Sequence, residues 1–432
     1  MRYLIETYGC QLNMAESNAI ELLLKGQGAE KTEDAERADV VILNTCSVRK
    51  TAENRIWGRL GYFNSIKKKK NGKLDIIVTG CMAERLKDEL KDEAPFVDAV
   101  IGTNEKEEIP AYVFSRKLKR KDKYSFLTSY YEEGSFSSYV PIMNGCNNFC
   151  SYCIVPYVRG REISRDVESI LKEIDFLESK GVKEITLLGQ NVNSYKAQYE
   201  GRIVDFPTLL EIIYPHLDSI EFVRFESPHP KDFSDHLIKV ISENERICSH
   251  IHLPMQSGSS RILKLMNRKT TREDFIALLD KMRAGIKDLT FSTDVMVGFP
   301  TETEEEYEET LSLMELMGCT EAFMYYYNPR EGTPSAKMDG QIDEEEKIRR
   351  LERLIAEQLE RAHRIKESRL PFETKVLVRG TTRDDKSRLL GYNEHNDMVS
   401  FSPKGNHKKG DIVMVRLTEL NGNTYRGEEI DV

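Results

Sequence analysis

A chain of 432 residues, 39% hydrophobic and 31% charged, has the make-up of a globular protein with room for two or three separately cored domains. No apolar run reaches the roughly 20 residues that a membrane helix needs, and the N-terminus lacks the apolar stretch and cleavage site of a secretory signal, so a cytoplasmic protein without membrane contact is expected. A net charge of −9 excludes a chain whose bulk attracts nucleic acid, leaving that task to local patches; eight cysteines in a reducing compartment argue against a disulfide framework.

The first 110 or so residues alternate short apolar runs with helical patterns, which predicts an open parallel α/β sheet. Strands are expected at 3–5, 40–43, 76–78 and 97–101, with helices over 15–25 and 52–68. Cys10, Cys46 and Cys81 each follow a strand's carboxyl end by a few residues. That edge of a parallel sheet is where ligands bind, so three thiolates far apart in sequence can converge there. A basic linker spans 116–123, and four lysines at 67–70 read as the solvated end of a helix.

A second α/β series begins near Tyr139, with strands expected at 139–143, 185–188, 221–225, 250–253, 291–297 and 321–326. Six β/α units suit an incomplete barrel better than a closed eightfold one. Ile348, Leu351, Ile355, Leu359, Ala362 and Ile365 recur at helical spacing, so a long amphipathic helix should close this unit. After Pro371 short alternating strands at 375–378, 389–392, 398–401 and 412–417 predict a small β-barrel of the oligonucleotide-binding type. The domains are therefore expected at 1–125, 126–369 and 370–432. Cys248 and Cys319 read as buried small hydrophobes.

The chemistry concentrates in Met143-Asn144-Gly145-Cys146-Asn147-Asn148-Phe149-Cys150-Ser151-Tyr152-Cys153. A structural zinc wants four ligands, and no fourth Cys or His lies within forty residues of this loop. Three thiolates on a four-iron cluster leave one iron open to hold a small molecule and pass it an electron. The upstream runs Tyr8-Gly9-Cys10-Gln11-Leu12-Asn13, Asn44-Thr45-Cys46-Ser47-Val48-Arg49 and Thr79-Gly80-Cys81-Met82-Ala83-Glu84-Arg85 offer three more thiolates, and hence a second, auxiliary cluster with its own open iron.

Together with Arg159-Gly160-Arg161-Glu162-Ile163-Ser164-Arg165, Leu253-Pro254-Met255-Gln256-Ser257-Gly258-Ser259, Val297-Gly298-Phe299-Pro300-Thr301-Glu302-Thr303 and Tyr327-Asn328-Pro329-Arg330-Glu331-Gly332-Thr333-Pro334, these motifs resemble the radical S-adenosylmethionine (SAM) methylthiotransferase family almost end to end. The resemblance implies an incomplete (β/α)6 radical SAM barrel at the centre and a TRAM domain, an RNA-contacting module, at the C-terminus. It implies two [4Fe-4S] clusters, on Cys146, Cys150 and Cys153 and on Cys10, Cys46 and Cys81. It also implies SAM as co-substrate, a sulfur donor, and a low-potential electron donor such as flavodoxin or ferredoxin.

Leu187-Leu188-Gly189-Gln190-Asn191-Val192-Asn193-Ser194-Tyr195 resembles the branch acting on isopentenyl-adenosine 37 in the tRNA anticodon stem-loop. In that branch one SAM methylates the auxiliary sulfur, a second gives a 5′-deoxyadenosyl radical, and the methylthio group joins adenine C2. The alternatives are the branches modifying threonylcarbamoyl-adenosine of tRNA or an aspartate of ribosomal protein S12. An RNA-binding module with zinc sites and an adenine methyltransferase carrying a second cluster stand further off. Where many radical SAM enzymes have a Gly-Gly-Glu-like run this chain has Gly189-Gln190-Asn191, so Gln190 and Asn191, with Glu226 at the next strand end, are candidate SAM contacts.

For RNA the candidates are Arg159, Arg161 and Arg165 beside the cysteine loop, and Arg416 and Arg426 in the final barrel. Over 370–432 ten lysines and arginines face ten aspartates and glutamates, a weak electrostatic footprint. The linker at 116–123 reads as a solvated connection or a phosphate contact, His229 and His252 read as ordinary strand-end residues, and a monomer is expected.

Overall fold

Alternation of apolar strands with amphipathic helices builds two parallel-sheet units, and a strand-only tail closes a third. The computed structural model describes residues 1–47, 50–119, 121, 124–127, 131 and 133–431; Val48, Arg49, and Arg120, Asp122 and Lys123 of the basic linker lie outside the described residues.

In the first unit β1 (Arg2–Thr7), β2 (Glu30–Lys31), β3 (Val40–Thr45), β4 (Asp75–Gly80) and β5 (Ala99–Ile101) form one parallel sheet in the order β2-β1-β3-β4-β5. Helices α1 (Gln11–Gly26), α2 (Lys50–Lys69), α3 (Cys81–Arg85), α4 (Lys87–Glu93) and α5 (Ile109–Ser115) cover it. The apolar runs of β3 and β4, Val40 to Leu43 and Ile76 to Val78, are buried throughout, as a sheet covered on both faces requires. The helix expected from residue 15 starts at Gln11, directly after Cys10.

The central unit strings six parallel strands in two triplets. One triplet is β12 (Phe222–Phe225), β9 (Glu184–Leu188) and β6 (Ser137–Pro141); the other is β13 (His250–His252), β14 (Thr290–Val297) and β15 (Glu321–Tyr326). A parallel bridge from Val223 to Ile247 joins them, giving the incomplete barrel that the six apolar runs led us to expect. The minor ribbon β7 (Met143–Asn144) with β8 (Ile163–Ser164) brackets the cysteine loop and the short helix α6 (Val155–Val158). Helices α7 (Val167–Ser179), α8 (Phe206–Ile213), α9 (Asp235–Glu243), α10 (Ser260–Leu265), α11 (Arg272–Gly285) and α12 (Glu304–Met317) wrap the outside. A hairpin of β10 (Lys196–Tyr199) and β11 (Arg202–Asp205) has no counterpart in the expected elements.

The long helix α13 (Glu344–Ser368) is present, and of the stripe read from the sequence Ala362 is buried and Leu351 packs on the core. Ile348 and Leu359 are exposed, and the core is met by Arg350, Leu354, Gln358 and Arg361. The last unit is a closed barrel of β16 (Phe372–Thr381), β17 (Leu389–Asn393), β18 (Met398–Ser402), β20 (Thr424–Glu429) and β19 (Ile412–Asn421), one strand more than expected. Among the described residues no helix is long and apolar enough to cross a membrane.

Candidate functional site: two thiol trios face each other

The register of the first sheet explains how its three cysteines meet. Thr7 pairs with Asn44 and Thr45 pairs with Gly80, so Cys10, Cys46 and Cys81 leave three adjacent strands at one edge. Gly9 and Gly80 both have positive φ, and a Cβ there would come within 2.8 Å of the Cys46 Cβ and 2.3 Å of the Thr45 carbonyl oxygen, respectively. Only glycine lets these strand ends approach so closely.

Cys146, Cys150 and Cys153 lie on the loop between β7 and α6. Gly145, at φ +80, presses on the Arg161 backbone, and its N–H donates to Gln190 Oε1 at 2.5 Å. Gln190 thus supports the loop. Burial pushes the Cys146 thiol up to about 11 and Cys153 up to about 12, so both are neutral without metal and must release protons to become ligands. All eight cysteines are free, and Cys248 and Cys319 are buried as expected.

The two trios face each other across the first two units. Cys81 packs with Ile154, at the end of the loop that carries Cys153, and with Val158 of α6. Arg330 donates to the Ser47 carbonyl at 2.6 Å, next to Cys46, and burial lowers its affinity for a proton. A buried polar knot ties the loops together: Arg159 donates from Nη1 to Glu16 Oε1 and Asn144 Oδ1, both at 2.9 Å, and from Nη2 to Asn13 Oδ1 at 2.9 Å. Asn13 in turn donates to the Thr45 carbonyl at 3.0 Å and accepts from the Cys10 thiol at 3.7 Å. Lys106 completes the knot on Glu16 and on Asn44. Burial works against the Glu16 carboxylate, but Arg159 and Lys106 outweigh it and hold it down at about 2.

These contacts correct two expectations. Arg159 and Arg165 are 4% and 3% exposed, the second paired with Glu173, so both serve the interior and neither presents a guanidinium to a phosphate. Arg161 is exposed, as an RNA contact requires. Arg416 is exposed but stands between Glu373 and Glu428 on the neighbouring strands, and Arg426 lies 3.9 Å from Glu419.

Around Cys150 the structure adds Arg268 and His229 to the sequence candidates Asn191 and Glu226. Arg268 sits 3.8 Å from the Cys150 sulfur, and its charge reaches His229. Asn193 brackets the His229 backbone, while Asn191 Nδ2 donates to Asp232 at 3.0 Å. Asn191 Oδ1, His229 Nε2 and Arg268 Nε are buried without partners among the described residues. Burial drives His229 down to about 2 and keeps it neutral. Burial also raises Glu226, against His252 and Arg224. Buried polar atoms in folded proteins are nearly always paired, and these three are exceptions. His229 carries no sequence signal beyond its Pro-His-Pro turn, and Arg268 carries none.

No three His, Cys, Asp or Glu side chains among the described residues close on one point as ligands of a single ion do. A four-iron cluster is held at separate corners, and a set of three free thiols fits it where a closed four-ligand zinc site would not.

The Radical SAM superfamily matches residues 140–314, and an uncharacterized protein family, UPF0004, matches residues 2–102. The tRNA-2-methylthio-N(6)-dimethylallyladenosine synthase of Treponema pallidum (strain Nichols) is 46% identical over 99% of this chain and 98% of its own length. The chain belongs to that synthase family. Enzymes of the same name from Treponema denticola and Bacteroides fragilis are each 45% identical over 99% of the chain and 99% and 95% of their own lengths. The family is the isopentenyl-adenosine branch that the motifs resemble. Among solved structures, the radical SAM methyltransferase TsrM from Kitasatospora setae superposes with a TM-score of 0.57 over 78% of this chain and 77% of its own, at 13% identity, a likeness of fold.

Proposed function

We propose that the chain adds a methylthio group to C2 of N6-isopentenyl-adenosine 37 in tRNA. The observation that supports this most is the apposition of two three-thiol sets joined through Arg159 and Arg330. One set alone would serve radical formation; a second beside it gives the sulfur a place within reach of the same base.

Cys146, Cys150 and Cys153 would hold one [4Fe-4S] cluster, and Cys10, Cys46 and Cys81 the second. When bound, these groups with SAM supply an electron, a carbon radical and the sulfur to be transferred. The chain's own residues do the rest. Asn191, His229 and Arg268 offer unsatisfied polar atoms to SAM beside Cys150, with Glu226 at the neighbouring strand end. Gln190 steadies the loop at Gly145. Arg330, a half-buried cation between the trios, favours negative charge on sulfur there. The C2–H bond is not acidic, so no side chain is asked to act as general base. A base in an anticodon loop is already unpaired, which makes its entry into a recessed site inexpensive.

The partners on this reading are the tRNA anticodon stem-loop, a sulfur donor, and a flavodoxin- or ferredoxin-like electron donor. The protein would work as a cytoplasmic monomer with units at 1–125, 126–369 and 370–432. Nucleoside mass spectrometry of tRNA from cells lacking the protein tests the reading: methylthio-isopentenyl-adenosine should vanish and isopentenyl-adenosine accumulate. Its persistence would overturn the assignment, as would methylthiolation of S12 alone by the reconstituted protein offered both substrates.

A further inference from the structure

The loop between Cys146 and Cys150 carries a surface that the cluster does not explain. Phe149 has φ +50, a left-handed conformation that a bulky residue rarely adopts. Asn267 holds it there, donating through Nδ2 to the carbonyls of Asn148 at 3.2 Å and Phe149 at 2.9 Å. The Ser151 N–H fastens the loop's other side to the Met266 carbonyl at 2.9 Å. Strain kept by such clamps belongs to functional sites. Here it turns the Phe149 ring beneath Arg161, whose guanidinium carbon lies 4.3 Å from the ring centroid. Tyr157 meets the same ring edge-on at 6.0 Å and is 50% exposed.

Arg161 is exposed, and among the described residues it pairs with no carboxylate. Its neighbour Glu162 is taken by Asn147, through two contacts of 3.1 Å. The surface is therefore a phenyl, a phenol and a stacked guanidinium with free N–H groups. It hangs on the loop whose Gly145 touches the Arg161 backbone and whose Cys146 N–H donates to the Gly160 carbonyl at 3.2 Å.

We infer that Phe149, Tyr157 and Arg161 form a stacking platform for an unpaired nucleobase beside the target adenosine, with Arg161 also reaching the adjoining phosphate. The inference rests on the tRNA reading above and adds which protein surface receives the loop. Aromatic faces accept any base and a stacked guanidinium adds charge, the combination that single-stranded nucleic acid favours. An acidic protein whose candidate barrel arginines, Arg416 and Arg426, stand beside carboxylates needs such a local contact, and this one adjoins the proposed radical cluster.

The test uses the full-length reconstituted protein and an anticodon stem-loop RNA bearing isopentenyl-adenosine 37, with 2-aminopurine at a flanking position. Tyr157→Ala should weaken binding about five- to a hundredfold and abolish the fluorescence change of the 2-aminopurine. Arg161→Gln should weaken binding and lower the slope of log K against log salt by about 0.7, the share of one phosphate. Iron and sulfide analysis shows whether the cluster loop survives each change; Phe149→Leu serves as a third variant because it keeps an apolar side chain over the clamp. Unchanged affinity and fluorescence in both Tyr157→Ala and Arg161→Gln would overturn the platform. So would a loss of SAM affinity with RNA affinity intact, which would make it part of the SAM pocket. If these variants lose RNA binding while the wild type ignores the isopentenyl group, the platform stands and the substrate assignment falls. A wild type that binds no stem-loop overturns both.

Discussion

Glu16 sits between two cations where water does not reach, and the planar fork of Arg159 reaches three residues on two elements, α1 and β7. Removing one member of a buried charged set leaves a charge unpaired, at a cost of about 3–5 kcal/mol. Glu16→Gln is expected to destabilise the metal-free protein by that order, read from its denaturant midpoint. The effect depends on pH with a definite sign. Glu16 is held at about 2, below its ordinary 4.5, so its contribution is complete above about pH 4.5 and is lost as pH falls through about 2. The gap between wild type and Glu16→Gln should therefore close across that window; a gap that stays constant down to pH 2 would refute the ionised pairing. Arg159→Lys tests the positioning role separately. A single ammonium cannot span Glu16, Asn13 and Asn144 at once, so iron content should hold while methylthiolated product falls roughly ten- to a hundredfold. SAM cleaved per product formed should rise, a readout that a simple loss of folded protein would leave unchanged. In the sequence Arg159 belongs to a basic run after the cysteine loop and reads as a phosphate contact. Its partners Glu16 and Asn13 lie 143 and 146 positions away, and nothing local announces them.

Two elements hold the thiol sets: strand ends closed by glycine, and a loop seated on a glycine. A methyl at Gly80 would lie 2.3 Å from the Thr45 carbonyl oxygen, and one at Gly145 2.2 Å from the Arg161 carbonyl oxygen, both at positive φ. Gly80→Ala should cost the auxiliary iron and spare the other cluster, and Gly145→Ala should do the reverse. Iron analysis with electron paramagnetic resonance of the remaining cluster distinguishes them, and loss of both clusters in either variant would show that the two loops assemble as one unit. At this scale much was legible. Apolar runs marked the strands, and cysteines just past them marked the site, because a parallel sheet exposes its carboxyl edge. The helix face of α13 was legible only in part. Arg350 pairs with Glu302 at 2.8 Å and Arg361 with Glu315 at 2.7 Å, and their long stems lie on the core where isoleucine and leucine were expected. Near Cys150, Asn191 was legible from its place just after β9, while Arg268 and His229 escaped because they come from separate turns with no spacing to read.

The whole molecule depends on how the terminal barrel is held. Glu184, on β9, is a nearly buried carboxylate shared by Arg224 of β12 at 3.0 Å and Arg379 of the barrel. Arg224 reaches on to the barrel carbonyls of Asn393 at 2.7 Å and Glu394 at 2.9 Å, while Lys375 pairs with Glu221 at 3.0 Å. Arg379 also lies over the Phe136 ring at 5.0 Å. The barrel is thus docked on the sheet that carries the cysteine loop. Replacing Arg224 and Arg379 together by alanine would leave Glu184 charged and unpaired at the junction, a cost of several kcal/mol placed where only docking can yield. Limited proteolysis should then cut near residue 370 and release the barrel, while the iron content of the remainder stays at the wild-type level. A double variant as resistant as the wild type would shift the weight of docking to the remaining contacts, among them the apolar cluster of Phe222, Cys248 and Leu377 and the pairs of Asp397 with Lys366 and Arg369. Leu377→Asp, which leaves every ion pair in place, would then be the change that frees the barrel.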